Sequence, residues 1–319
     1  MSTLVSIVIP VFDSPVLTEL ADRIDATFGT LPDVRHEVIF VDDGSRNPDT
    51  WPTLERLARE RRSVRALQLT RNFGQQAASL CGLREARGDV VITMDDDLQH
   101  APEDIPRFLA LRNRDIVIGQ FDHRQHPLSR RVASRIKGGF DRVILGKPKG
   151  IRLSSFRMLN RVVVDGMLSI TTAHPFLPAL MFNVSTDVTG VRVEHAPRRA
   201  GRSGYTVWKL VRVFSNLLIS NSSLVLKTVG HLGVVFSAIS FLMAAVVVYG
   251  RVIRGTSVQG WPSLMAVELF LGGLLLFSVG VVGEYLIRII ESSERKPTYF
   301  VRRRTDTVTH ETHEKADVY

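Results

Sequence analysis

Short apolar runs alternate with longer amphipathic stretches through the first third of the chain. Runs rich in Val, Ile and Leu predict strands at Val5–Val11, Glu37–Val41, Val64–Leu69, Val90–Met94 and Ile116–Gly119. Between them, apolar positions recur every three to four residues. That spacing predicts helices over Val16–Phe28, Thr50–Arg61, Gly74–Ala86 and Pro102–Leu111. The alternation is that of an α/β domain, a mostly parallel sheet covered by helices, and the first strand is expected to begin almost at the N-terminus, with no basic leader segment before it.

After residue 205 the pattern changes. Tyr205–Leu218, with Lys209 and Arg212, is a basic amphipathic stretch expected to lie on a membrane surface. Val229–Tyr249 follows, 21 residues in which His231 is the only ionisable side chain before the terminal Tyr. Leu264–Ile287 is a second apolar stretch, with Glu268 and Glu284 near its ends. About 20 apolar residues cross a hydrocarbon core as a helix. Two transmembrane helices are therefore predicted, joined by a loop around Gly250–Ser263 that carries Trp261 and Pro262. A pair of buried core helices is the alternative, but no other segment is long enough to surround them. Arg212 and Lys227 precede the first span, and Arg288, Arg295, Lys296, Arg302, Arg303 and Arg304 follow the second. The connecting loop carries only Arg251 and Arg254. This asymmetry places the N-terminal domain and both termini in the cytoplasm, on a multi-pass protein of the inner membrane. The expected organisation is a catalytic domain over 1–205, an interface segment over 206–228, two membrane helices within 229–290 and a cytoplasmic tail over 291–319.

Composition sharpens the list of partners. With 45% hydrophobic residues and a mean hydropathy of +0.08, the chain sits between soluble and fully embedded proteins. Its net charge of +9 suits phosphate-rich ligands and an anionic lipid bilayer. Zinc-finger spacings and RNA-binding aromatic signatures are absent, so nucleic acid is not an expected partner. The single cysteine, Cys81, rules out an internal disulfide and reads as a small core residue.

The candidate chemistry lies where strands end. In α/β sheets ligands bind beyond the carboxyl ends of the strands. Four clusters fall there: Pro10-Val11-Phe12-Asp13, Asp42-Asp43-Gly44-Ser45, Thr70-Arg71-Asn72-Phe73-Gly74 and Asp95-Asp96-Asp97-Leu98-Gln99. Three successive carboxylates after a buried strand are costly unless a positive group joins them. Hard oxygen donors suit Mg²⁺ or Mn²⁺, which commonly also holds a substrate phosphate. If the strand pattern continued, Asp95 and Asp97 would share one face, with Gln99 next, and Asp96 would lie opposite. A plain acidic turn is the alternative for such a triplet in isolation. No dinucleotide or Walker fingerprint is present.

Taken jointly, these residues resemble the family 2 glycosyltransferases of GT-A fold, and most of all their membrane-anchored polyprenyl-phosphate branch. That branch includes the dolichol-phosphate mannose synthase group, bacterial undecaprenyl-phosphate glucosyltransferases and the undecaprenyl-phosphate aminoarabinose transferase. The marks are Val8-Ile9-Pro10-Val11-Phe12, Val41-Asp42-Asp43-Gly44-Ser45, Arg71-Asn72-Phe73-Gly74-Gln75-Gln76-Ala77-Ala78, Met94–Gln99 with Pro102-Glu103, and Ser155-Phe156-Arg157. They continue with His195-Ala196-Pro197-Arg198 before Gly201, Ser203 and Tyr205, and with Gly283-Glu284-Tyr285-Leu286 leading to Lys296-Pro297-Thr298-Tyr299-Phe300.

The resemblance implies a nucleotide-diphosphate sugar donor, with UDP favoured, and a polyprenyl (undecaprenyl) phosphate acceptor. It implies that Asp43, with the backbone at Pro10 and Val11, holds the base, and that Asp42 and Arg71 flank the donor. Asp95, Asp97 and Gln99 would hold Mg²⁺ or Mn²⁺, with Asp96 beside them. Arg198, helped by Ser203, would reach the diphosphate. Arg124, Arg130 and Ser134 would grip the lipid phosphate; Arg130 and Ser134 share a helical face, and guanidinium groups suit phosphate. Relatives form dimers or tetramers, so a homo-oligomer is implied.

The chain departs from the family pattern at Ser155, where Asp is frequent, at Asp96, the middle of the usual Asp-Ala-Asp, and at Gly204, where Lys is common. Ser155 argues against a side-chain base at that place. A phosphate monoester, with a second pKa of about 6, can attack without one. The expected reaction is an inverting transfer that rests on positioning and charge stabilisation. Two other readings are a transferase with a glycolipid or polysaccharide acceptor and a non-catalytic anchor that binds sugar nucleotides. The Gln-x-x-Arg-Trp signature of processive synthases is missing.

Overall fold

The computed structural model describes residues 3–121, 150–172, 175–193, 260–293 and 296–305, with isolated positions between 229 and 253. The chain divides into two compact units, Met1–Gly204 with Arg295–Tyr319, and Tyr205–Glu294. The predicted interface segment 206–228 lies outside the described residues.

The first unit is built on an eight-stranded sheet. In chain order its elements are β1 (Thr3–Val11), α1 (Leu17–Gly29), β2 (Val34–Asp42), α2 (Thr50–Glu60), β3 (Val64–Leu69), α3 (Gln75–Glu85) and β4 (Val90–Thr93). A 3₁₀ turn at Pro102–Asp104 leads into α4 (Ile105–Leu109), then β5 (Ile116–Phe121). After the undescribed stretch come β6 (Arg157–Asn160), α5 (Arg161–Ser169), α6 (Leu177–Val184) and β7 (Val188–Val193), and β8 (Val301–Arg304) follows from the tail. The spatial order is β7-β5-β6-β4-β1-β2-β3-β8. β4, β1, β2 and β3 run parallel, as expected from strands separated by helices. The sheet is mixed rather than uniformly parallel: β6 inserts antiparallel between β4 and β5, and β8 is antiparallel to β3.

Strand alternation separates two cores. Val5, Ile7, Ile9 and Val11 of β1 pack on one face, with Leu17, Leu20 and Ile24 of α1 and Leu54 and Leu57 of α2. Val8 points the other way, into a second cluster with Ile39, Val41, Ala78, Cys81 and Leu83. α3 lies so close to β1 that a Cβ on Gly82 would sit 2.3 Å from Val8 Cγ1. Cys81 is a buried free thiol, as expected.

The predicted strands and helices of residues 5–119 all form, with ends shifted by at most a few residues. β8 is a finding the sequence did not announce. The tail was expected to be a separate segment, yet Leu67 pairs with Arg304 and Gln68 with Arg303. Val-Arg-Arg-Arg carries one apolar residue and three exposed arginines. An edge strand of that composition has no hydrophobic periodicity to read.

In the second unit, α7 (Trp261–Ser293) is a 33-residue helix. Its window Phe270–Ile287 has a mean hydropathy of 1.9, and none of it is buried. Among the described residues this is the one helix long and apolar enough to cross a membrane. Leu264–Ile287 lies within it. The expected loop ended at Ser263, but the helix already starts at Trp261. Pro262 sits in its first turn, where a missing N–H costs nothing. Most of Val229–Tyr249 lies outside the described residues; its described positions, such as Val235, Phe236 and Leu242, are helical.

Candidate active site

The strand-end clusters of β1, β2 and β4, with the loop after β3, meet at one end of the sheet. Val11 pairs with Asp42 at the ends of β1 and β2. The Asp43 N–H donates to the Val11 carbonyl at 2.9 Å, so that carbonyl is engaged by the protein itself. The Asp42 carboxylate is fully buried and accepts from the Ser45 N–H at 2.9 Å and from Gln68 Nε2 at 3.0 Å. Asp43 is nearly as buried, and its two oxygens accept the N–H groups of Phe73 (2.7 Å) and Gly74 (2.9 Å). Burial raises the Asp43 carboxyl above the ordinary range; these two amides oppose the rise, and neighbouring Asp42 adds to it.

The 43–45 turn and the 70–74 loop are in contact through Gly44. Its φ is +67°, and a Cβ there would fall 2.5 Å from Arg71 C and 2.7 Å from Asn72 N. Both neighbours are backbone, so only glycine fits. Arg71 itself is exposed, with its Cζ 4.3 Å from the centre of the Phe73 ring. Asp13 ties the first strand to the same region. Its N–H donates to Ser45 Oγ, and its Oδ1 accepts the N–H groups of Arg46 and Asn47 at 2.7 and 2.8 Å.

The acidic cluster differs from a continued strand. β4 ends at Thr93, and Leu98, buried, takes a φ of +59°. Residues 95–99 thus form a turn, and the alternation that would group Asp95, Asp97 and Gln99 on one face does not apply. The turn joins two of them in another way, since the Gln99 N–H donates to Asp97 Oδ1 at 3.1 Å.

Asp95 is held on both oxygens, by Gln75 Nε2 at 2.6 Å and by Ser155 Oγ at 2.6 Å. Its own N–H donates to His100 Nδ1 at 3.0 Å. The His100 ring is stacked with Phe156 and Phe121, centroids 5.0 and 5.5 Å away. Ser155 is fixed in turn by its carbonyl, which accepts from Thr93 Oγ1 at 2.6 Å. Asp96 turns toward β1: its Oδ2 accepts the Phe12 N–H at 3.2 Å and its carbonyl accepts Ser14 Oγ at 3.0 Å. Burial, reinforced by Asp95 and Asp97, pushes the Asp96 carboxyl up to about 7, against the Phe12 amide. Below this turn lies Arg157, buried, with Nη1 3.7 Å from Met181 Sδ and no hydrogen-bond partner for Nε among the described residues. Burial lowers its guanidinium to about 10, and Asp95 opposes that shift.

The structure thus brings together Pro10, Val11, Asp42, Asp43, Arg71, Asp95, Asp96, Asp97 and Gln99. Arg124, Arg130, Ser134, Arg198 and Ser203 lie outside the described residues. Among the described residues no three His, Cys, Asp or Glu side chains converge as a ready-made metal cage. The carboxylate and amide oxygens at 95–99 nonetheless fit the mode in which a hard cation takes one or two carboxylates and completes its shell from substrate phosphate and water. Reading the sequence left out Gln75 and His100 as supports of the acidic turn. A Gln after a loop and a His after an acidic run carry no periodic signal; only the fold sets them beside Asp95.

Comparison with known proteins decides the family. Residues 6–168 match the model of Glycosyl transferase family 2. The chain belongs to that family. This glycosyltransferase is 33% identical over 308 residues to the undecaprenyl-phosphate 4-deoxy-4-formamido-L-arabinose transferase of Pseudomonas savastanoi pv. phaseolicola, covering 94% of this chain and 90% of the relative. It is 30% identical to the protein of the same name from Aeromonas hydrophila subsp. hydrophila, covering 98% of both. Among solved structures, glucosyl-3-phosphoglycerate synthase from Mycobacterium tuberculosis aligns at 16% identity and a TM-score of 0.49, over 68% of this chain and 76% of that one. Family membership makes this protein an enzyme, a glycosyltransferase, its mixed sheet with helices between the strands is a Rossmann-like α/β architecture, and its chain spans nearly the full length of these undecaprenyl-phosphate transferases.

Proposed function

We propose that this glycosyltransferase moves a sugar from a nucleotide-diphosphate sugar, UDP-linked by preference, to polyprenyl phosphate at the cytoplasmic face of the membrane. The observation that carries the proposal is the near full-length similarity to undecaprenyl-phosphate sugar transferases. Its physical support is the end of the sheet, where the turn that carries Asp43 and the 95–99 turn both bond to the backbone at the end of β1. The apolar helix α7 supports a membrane location, because a polyprenyl tail is confined to the bilayer.

In this reading the 43–45 turn and the 70–74 loop form the nucleotide end of the crevice. Each Asp43 oxygen accepts one backbone amide and retains a second lone pair for a base N–H. Asp97 and Gln99 would hold Mg²⁺ or Mn²⁺, with Asp95 oriented beside them by Gln75 and Ser155. A divalent cation there supplies charge stabilisation for the leaving nucleoside diphosphate. Arg124, Arg130 and Ser134 would bind the acceptor phosphate, and Arg198 with Ser203 the donor diphosphate. Ser155 donates to Asp95, so the hydroxyl at this place orients a carboxylate and supplies no base. The acceptor needs none. A lipid phosphate with a second pKa of about 6 is largely ionised near neutral pH. Attack of one of its oxygens on the anomeric carbon, opposite the leaving diphosphate, inverts that centre.

The test is release of UDP or GDP from a panel of sugar nucleotides by purified full-length protein in detergent. Each donor is assayed with and without undecaprenyl phosphate, and with Mg²⁺, Mn²⁺ or EDTA. Release that needs both lipid phosphate and metal is the expected result and names the sugar. Metal-dependent release indifferent to the lipid removes the acceptor from the proposal.

A further inference from the structure

We propose that the tail strand is part of the donor site, and that Phe300 is a positioning residue for the 70–74 loop. The loop is held from two sides. On the inner side, Asp43 accepts the Phe73 and Gly74 amides, and Gly44 lies against the backbone of Arg71 and Asn72. On the outer side stands the tail. The Thr70 N–H donates to the Phe300 carbonyl at 2.9 Å, and the Phe300 ring meets the Phe73 ring with centroids 6.2 Å apart.

The same segment is anchored along α3, the helix that begins where this loop ends. Tyr299 packs against the second core cluster, the one that contains Cys81 and Leu83 of α3. The Arg84 guanidinium lies 5.8 Å from the centre of the Tyr299 ring, and Arg304 pairs with Glu85 at 2.9 Å. The Thr305 hydroxyl accepts the Ala66 N–H at 2.8 Å at the far end of β8. The N-terminal residue of α3 is Gln75, which orients Asp95. The tail is thus docked on both the loop that Asp43 holds and the helix that presents Gln75. An aromatic contact half open to solvent contributes little to global stability, yet it adds a side-chain restraint at Phe73, beyond the backbone bond that holds the loop at Thr70.

The inference rests on the reading that this crevice takes the donor nucleotide, and the test separates the two. Full-length protein in detergent is compared with Phe300→Ala, Phe300→Tyr and Thr305→Ala. Hydrogen exchange is measured at the Phe73 and Gly74 amides, and UDP and GDP affinity by calorimetry with Mn²⁺. Phe300→Ala is expected to speed exchange at both amides and to weaken nucleotide binding, each about three- to tenfold. Phe300→Tyr should restore both. Thr305→Ala should lower the unfolding temperature without changing either readout. Should Phe300→Ala fail to fold, Phe300→Leu is read by the same criteria.

Wild-type exchange and affinity in the folded Ala or Leu variant would overturn the proposal. So would an equal loss in Thr305→Ala, because the tail would then act through general stability alone. If neither nucleotide binds the wild-type protein, the donor reading fails, and exchange at the two amides still decides the positioning role.

Discussion

Replacing Gly44 by alanine tests the architecture of the crevice at a single methyl group. The added Cβ would fall 2.5, 2.7 and 2.9 Å from Arg71 C, Asn72 N and Arg71 Cα, and all three are main-chain atoms that no rotamer change can move. The φ of +67° adds a left-handed penalty of about 1–2 kcal/mol for any residue with a side chain. Relief of the clash requires the 70–74 loop to move off the 43–45 turn. That movement stretches the bonds from the Phe73 and Gly74 amides to Asp43, each worth about 1.5–3 kcal/mol as a bond to a charged group. With one of the two lost, the total is about 3–5 kcal/mol. For a domain of this size that corresponds to a fall of about 6–20 °C in the unfolding temperature. Thermal unfolding of the full-length protein in detergent measures it, with UDP binding followed in parallel. Unchanged unfolding and unchanged nucleotide affinity in Gly44→Ala would refute the claim that the two loops are locked through this residue.

Further outcomes follow from other parts of the domain. Asp97→Ala should abolish transfer while leaving the unfolding temperature within a few degrees, because Asp97 is only partly buried and lies outside the sheet and helices; near-wild-type turnover with metal supplied would remove it from the metal site. Glu37 accepts from Ser6 Oγ, the Arg87 N–H and Arg65. Burial would raise its carboxyl, but these partners outweigh burial and hold it below the ordinary value. Its contribution is therefore fully present above the unfolded pKa of about 4.3 and is lost as pH falls through the lower folded value. Glu37→Gln should cost about 1–3 kcal/mol at pH 7, with the gap narrowing as pH falls below the unfolded value of about 4.3; a gap that does not change with pH through the acid range contradicts the assignment. Arg157 is a buried cation whose Nε has no hydrogen-bond partner among the described residues. Arg157→Met should leave stability unchanged or raise it by about 1 kcal/mol while lowering activity through Asp95. A large drop in unfolding temperature would show that the charge is better satisfied than its contacts indicate.

The sequence by itself determined the frame. Five apolar runs at strand length, separated by helices with a three-to-four-residue repeat, dictate a parallel α/β layer, because each element has a single apolar face or stripe to bury. Clusters such as 42–45 and 95–99 were legible for the same reason. They interrupt an apolar pattern at the strand ends, where this kind of sheet binds ligands. The long apolar stretch within α7 was equally plain, since hydropathy over about 20 residues is a one-dimensional property.

Tertiary structure decided what periodicity cannot encode. β8 has no apolar alternation; it becomes a strand because the edge of β3 offers unpaired backbone groups and Tyr299 has a place in the core. The 95–99 segment follows a strand in sequence but turns at Leu98, so the roles of its carboxylates depend on partners far along the chain. Asp95 is set by Gln75 and Ser155, and Asp96 by the backbone at Phe12. Such contacts join residues 20 to 84 positions apart. No local pattern carries them, because their geometry exists only after the sheet has brought its strand ends together.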